Sequence, residues 1–112
     1  MNIQIFGVKK CFDTKKAERY FKERKIKFQF VDLNIKALGK REMESIVAAV
    51  GIENLINKNS KEYKNLSIQN IRSNQIKQEL LLNNAGLCVT PIVRNGKLAT
   101  VGFKPEVWKD WE

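Results

Sequence analysis

Thr90-Pro91-Ile92-Val93-Arg94-Asn95-Gly96-Lys97-Leu98-Ala99-Thr100-Val101 is the stretch on which the fold of this 112-residue chain turns. Two short aliphatic, β-branched runs flank Asn95-Gly96, a dipeptide that supplies the positive φ angles of a type I′ turn, so the stretch reads as a tight antiparallel hairpin. The proline at its head lacks the N–H for a ladder bond, and X-Pro is the common route to a cis peptide. Thr90-Pro91 is therefore expected to open the hairpin as a cis-proline loop. Gly102 ends the hairpin, and Pro105 to Trp111 is expected to form a terminal helix with Val107, Trp108 and Trp111 on its inner side.

At the other end of the chain, Asn2 to Phe6 alternate as a strand does, and Thr14 to Lys25 carry Ala17, Tyr20 and Phe21 at helical spacing. Ile26 to Leu33 alternate again as a second strand. Strand, crossover helix and strand make a βαβ unit, parallel and right-handed. Cys11 stands where the first strand gives way, through Gly7-Val8-Lys9-Lys10, to the helix opening around Asp13-Thr14-Lys15-Lys16. A thiol at a helix N-terminus is stabilised as thiolate by unpaired backbone N–H groups and the helix dipole, and Lys10 and Lys15 are expected to act in the same direction. The Thr14 hydroxyl occupies the place where a CxxC motif carries its second sulfur, so chemistry here begins with one thiol. The competing reading is a small apolar side chain buried in a loop.

Between these ends the pattern is helical. Gly39 precedes Lys40 to Val50, where Met43, Ile46, Val47 and Val50 form one apolar stripe and Gly51 is a plausible C-cap. Asn54 to Asn59 reads as a helical turn and loop, Lys61 to Leu66 as a small helix, and Ile68 to Asn83 as a longer one with Ile71, Ile76, Leu80 and Leu81. The order β-α-β, helices, β-β-α is that of an α/β, thioredoxin-like fold. A single domain over 1–112 is expected, its core at about 1–34 and 86–112 and its helical insertion at about 35–85. In that fold Cys11 and Thr90-Pro91 are neighbours.

Composition narrows the function classes. The chain is 43% hydrophobic, with two cysteines and no histidine, which excludes most zinc sites and any histidine-based triad. Neither a metal nor a bound cofactor is expected. No apolar run approaches the roughly 18 residues that span a bilayer, and no signal-peptide pattern opens the chain. No membrane association is expected, and the expected compartment is the cytoplasm, where a lone thiol stays reduced. Lys and Arg number 21 against 12 acidic residues, a net charge of +9. These charges are dispersed, without a zinc-finger, RNP or helix-turn-helix motif, so direct nucleic-acid binding is not expected. A monomer is expected. Cys88, three residues before Pro91, reads as a core residue, with a resolving role toward an oxidised Cys11 as the alternative.

The segments Ile5–Leu33 and Thr90–Trp108, with the helices between them, resemble the arsenate reductase-like family that also contains the Spx regulators. The marks are Cys11 followed by Thr14-Lys15-Lys16-Ala17, and the proline hairpin followed by Val101-Gly102-Phe103-Lys104. The resemblance implies a thioredoxin fold with a helical subdomain inserted between the second and third strands. For members that are enzymes it also implies arsenate reduction with glutathione as co-substrate and glutaredoxin as partner. Such a site needs Cys11 as nucleophile, Thr14 beside the thiolate, and Thr90 with Pro91 docking a glutathione or peptide strand. In the family's active reductases arginines neutralise the oxyanion, since bidentate charged donors fit a tetrahedral anion. Here Asn59, beside Lys58, stands in the first arginine position, Thr90 in the second and Lys104 in the third. Losing one oriented donor from an oxyanion site costs on the order of 10²-fold, so efficient arsenate turnover is not expected. The alternative that the resemblance offers is an Spx-like regulator that binds the C-terminal domain of the RNA polymerase α subunit.

Overall fold

Alternation along the first strand sends Ile3 and Ile5 to one face of a sheet and Phe6 to the other, and these two faces organise the molecule. The structure, a computed structural model, describes residues 2–111. Among these residues the chain runs β1 (Ile3–Gly7), α1 (Phe12–Glu23), β2 (Phe28–Asp32), α2 (Lys40–Val50), α3 (Ile52–Leu55), α4 (Lys61–Asn65), α5 (Asn74–Asn83), β3 (Ile92–Asn95), β4 (Leu98–Val101) and α6 (Pro105–Trp108). Short 3-10 turns stand at Ile68–Asn70, Ala85–Leu87 and Lys109–Trp111. The strands form one sheet in the order β2-β1-β3-β4, with β1 parallel to β2 and the other pairs antiparallel. This is the thioredoxin-like α/β arrangement, with a helical subdomain inserted between β2 and β3.

On one face Ile3, Ile5 and Val93 pack against Ala17, Tyr20 and Phe21 of α1 and Trp108 of α6. Trp108 is fully buried, lies edge-on to Tyr20 and Phe103 at centroid distances of 5.3 and 5.5 Å, and donates its indole N–H to Thr100 Oγ1 at 2.8 Å. A buried indole needs such a partner. On the opposite face Phe6 and Ile92 meet the inserted helices through Met43, Ile46, Leu55 and Leu81. No helix among the described residues is long and apolar enough to cross a membrane.

Several boundaries differ from the sequence reading. Helix α1 starts at Phe12, ahead of Thr14, because Cys11 is its N-cap and the Cys11 carbonyl already accepts from Lys15 N–H at 3.2 Å. The helix ends in a Schellman arrangement: Ile26 N–H donates to Phe21 O, Lys25 N–H to Lys22 O, and Lys25 takes the left-handed position at φ +58°. That turn delays β2 to Phe28. The expected helix from Ile68 to Asn83 is broken, since Ser73 caps a new start by accepting from Ile76 N–H at 3.3 Å, and Ile76 ends up exposed. Gly51, at φ +85°, caps α2 as expected, but α3 follows at once and replaces the helical turn placed at Asn54. In the hairpin Asn95 pairs with Leu98, so the loop is Gly96-Lys97, and of these two only Gly96 has positive φ (+61°). That is the pattern of a type II′ turn and not type I′. Val107 faces out, because the last helix tightens to 3-10 geometry after Trp108 and its inner stripe narrows to Trp108 and the half-buried Trp111.

Candidate active site

Beyond Gly7 the chain reverses in a turn closed by Cys11 N–H donating to Val8 O at 3.1 Å, with Lys9 and Lys10 at its exposed tip. Cys11 then caps α1 with φ −81° and ψ 121°, which leaves its half-buried thiol beside the first-turn N–H groups. Facing it is Thr90-Pro91, whose peptide bond is cis. The Cys11 thiol donates to the Thr90 carbonyl at 3.6 Å. That carbonyl is held from both sides: Pro91 O accepts from Gly102 N–H at 2.8 Å, and Val89 N–H donates to Leu55 O at 2.7 Å.

Burial by itself would raise the Cys11 pKa. The Thr14 hydroxyl, the Thr90 hydroxyl and the backbone N–H groups of Thr14 and Asp13 outweigh it and hold the thiol below the ordinary cysteine value. The neutral thiol and the thiolate therefore use different partners. The S–H spends its proton on a carbonyl, while the S⁻ faces hydroxyl and amide donors. Thr14 is fully buried, and its Oγ1 has no hydrogen-bond partner among the described residues, so its proton is free to turn to the sulfur when the sulfur carries the charge. Cys88 has the opposite environment. It is buried, bridges to Ile56 across an isolated β-bridge, bonds Leu81 O at 3.7 Å, and is pushed up to about 12 by desolvation.

The structure brings Thr14, Thr90 and Pro91 to Cys11; the charged candidates make no described hydrogen bond to the thiol. Lys10 is exposed on the turn tip, and Lys15 is exposed with its ammonium over the Phe12 ring at 5.9 Å. Lys58 pairs with Glu53 at 3.7 Å, and Asn59 uses its N–H on Asn57 Oδ1 at 3.0 Å. Lys104 caps α6 through its carbonyl, and its exposed side chain lines a groove with Val50, Asn54 and Val107. The first-turn N–H groups expected beside the thiol are those of Asp13 and Thr14. Sequence reasoning missed one donor, the Thr90 hydroxyl, which could have been found by asking what a threonine offers a thiolate in the place of an arginine. It also passed over Phe12, which is 79% exposed next to the thiol.

The whole chain has relatives of similar length. It is 24% identical over 109 residues to an uncharacterized protein of Haemophilus influenzae, covering 96% of each. An arsenate reductase from Vibrio cholerae superposes with a TM-score of 0.88 at 18% identity, covering 98% of this chain and 97% of that one. An arsenate reductase related protein from Brucella melitensis superposes with a TM-score of 0.72 at 23% identity, covering 99% and 94%. These two likenesses are of fold. The sequence pattern of the ArsC family matches residues 6–111, from the end of β1 to the last helical turn, taking in both Cys11 and the cis-proline loop, and on that match the chain belongs to the ArsC family.

Proposed function

We propose that the protein is a thiol oxidoreductase in which Cys11 is the single nucleophile and glutathione, or a glutaredoxin, is the thiol partner. The observation that carries this reading is the Cys11 thiol at the N-cap of α1, facing Thr90 and served by donors that favour its ionised form. The Cys11 thiolate attacks one sulfur of glutathione disulfide. A Cys11–glutathione disulfide forms, the disulfide bond of the attacked molecule breaks, and the departing glutathione thiolate takes up a proton. A second glutathione, or a glutaredoxin thiol, reverses the step. Thr14 and Thr90 hold the thiolate, and the backbone at Thr90 with Pro91 presents an edge for the incoming peptide.

Arsenate is a poor candidate substrate. Asn59 and Thr90 are neutral, Lys58 is engaged with Glu53, and Lys104 is a monodentate cation, so these positions offer no bidentate clamp to neutralise the oxyanion. The test is mass spectrometry after treatment with glutathione disulfide, run beside arsenate reduction with glutathione and glutaredoxin. One adduct at Cys11, and weak or absent arsenate turnover, is the expected result. No preferential adduct at Cys11 would sink the proposal. Docking to the C-terminal domain of the RNA polymerase α subunit draws support only from dispersed positive charge, and binding that survives Cys11→Ser would favour it over thiol chemistry.

A further inference from the structure

Gly7 is the last residue of β1, buried and paired in register with Asp32. Its φ is not positive, so the backbone at this position does not call for glycine, and a glycine weakens a strand interior. Its reason is spatial. A Cβ built on Gly7 would stand 2.6 Å from both Oγ1 and Cγ2 of Thr14 and 3.2 Å from its Cβ. A Cβ does not come within 2.6 Å of such atoms, and Thr14 is fully buried, so its side chain would have to rotate away. Such a rotation would carry off a hydroxyl that no hydrogen bond among the described residues holds in place.

We infer that Gly7 is a positioning residue for the thiol site: the space left by its missing Cβ seats the Thr14 side chain, and so fixes where the Thr14 hydroxyl stands beside Cys11. The inference rests on the reading of Cys11 as a working thiolate. A strand residue that never touches the sulfur sets one of its donors, through direct contact between the end of β1 and the first turn of α1.

The experiment is the pH dependence of Cys11 alkylation by iodoacetamide, followed by mass spectrometry, in the wild type, Gly7→Ala, Thr14→Ala and the double variant. In Gly7→Ala the midpoint rises toward that of a free cysteine, as it does in Thr14→Ala. At neutral pH each single variant reacts about threefold more slowly: one weakened hydrogen bond to a charged group is worth roughly tenfold, and the more basic thiolate regains part of this in nucleophilicity. The double variant has the midpoint of Thr14→Ala alone, since Gly7 acts only through Thr14. A folded Gly7→Ala with the wild-type midpoint, or two shifts that add, would overturn the inference while leaving the thiolate reading intact. If Gly7→Ala does not fold, recovery of a folded protein in the double variant supports the contact with Thr14, and an equally unfolded double variant overturns it. A wild-type midpoint no lower than that of free cysteine would overturn the thiolate reading itself.

Discussion

The Cys11 thiol and the Thr90 carbonyl meet at 3.6 Å across 79 positions of sequence, so the first helix and the proline loop share one proton. Ionisation removes that bond and leaves a negative sulfur beside a carbonyl oxygen. The Thr90 hydroxyl, on the same residue, then becomes a donor to the sulfur. Thr90→Val keeps the carbonyl and deletes the hydroxyl. The pH midpoint of Cys11 alkylation is expected to rise and the rate at neutral pH to fall a few-fold, with the fold unchanged by circular dichroism. An unchanged midpoint would show that Thr90 acts on the thiol through its backbone alone.

Cys88 gives the protein an alkaline weakness. Unfolded, its thiol ionises near 9.0; folded, it holds its proton up to about 12. Between those values the unfolded chain has released a proton that the folded chain keeps, so stability is full below 9.0 and falls as pH rises toward 12. The slope from this one group is at most about 1.4 kcal/mol per pH unit. Urea melts of wild type and Cys88→Val, taken at neutral pH and at two points in that window, are expected to converge with rising pH. Parallel curves would show that Cys88 is not the responsible group.

Thr100 is the sole described acceptor for the indole N–H of Trp108, which is fully buried. Thr100→Val conserves shape and strands the donor. A loss of about 1–3 kcal/mol is expected in urea unfolding followed by tryptophan fluorescence. Thr100→Ser, which keeps the hydroxyl, should lose less than Thr100→Val; an equal loss would mean that the methyl group and not the bond matters.

Lys25 occupies the left-handed position that ends α1, where glycine bears no Cβ penalty. Lys25→Gly removes that penalty and restores some freedom to the unfolded chain, so the net gain is expected to be modest, about 0.5–1 kcal/mol. A thermal melt that moves down would contradict the Schellman assignment.

Local signals carried most of the fold. Alternation in Ile3-Gln4-Ile5-Phe6 marked β1, Asn95-Gly96 placed the hairpin, and a proline at the strand start placed the cis bond opposite Cys11. The turn type was misassigned because Asn95 still pairs with Leu98, which shifts the loop by one residue. Helix interiors hid their own breaks: Ser67 and Ser73 look like ordinary polar positions until their roles at helix starts are known. At the site, sequence neighbours misled. Lys10 and Lys15 flank Cys11 in the chain, yet a turn tip and an exposed helical position direct them to solvent. Thr14 was readable as a partner from its spacing, whereas its contact with Gly7 depends on how closely α1 settles on β1, which no local pattern encodes.

The chain segments at 55–57 and 87–89 are stitched together by Asn57 N–H to Leu87 O, Val89 N–H to Leu55 O and the Ile56–Cys88 bridge. Everything from Lys58 to Gly86 is therefore a loop already closed at its neck. Lengthening a closed loop is cheap, only about 0.6 kcal/mol for each doubling, so extra residues in the exposed stretch around Arg72 would be absorbed before they reached the neck. The neck ends one residue short of Thr90. In this chain, extra residues around Arg72 would thus leave the Thr90 carbonyl at the same height before the Cys11 sulfur.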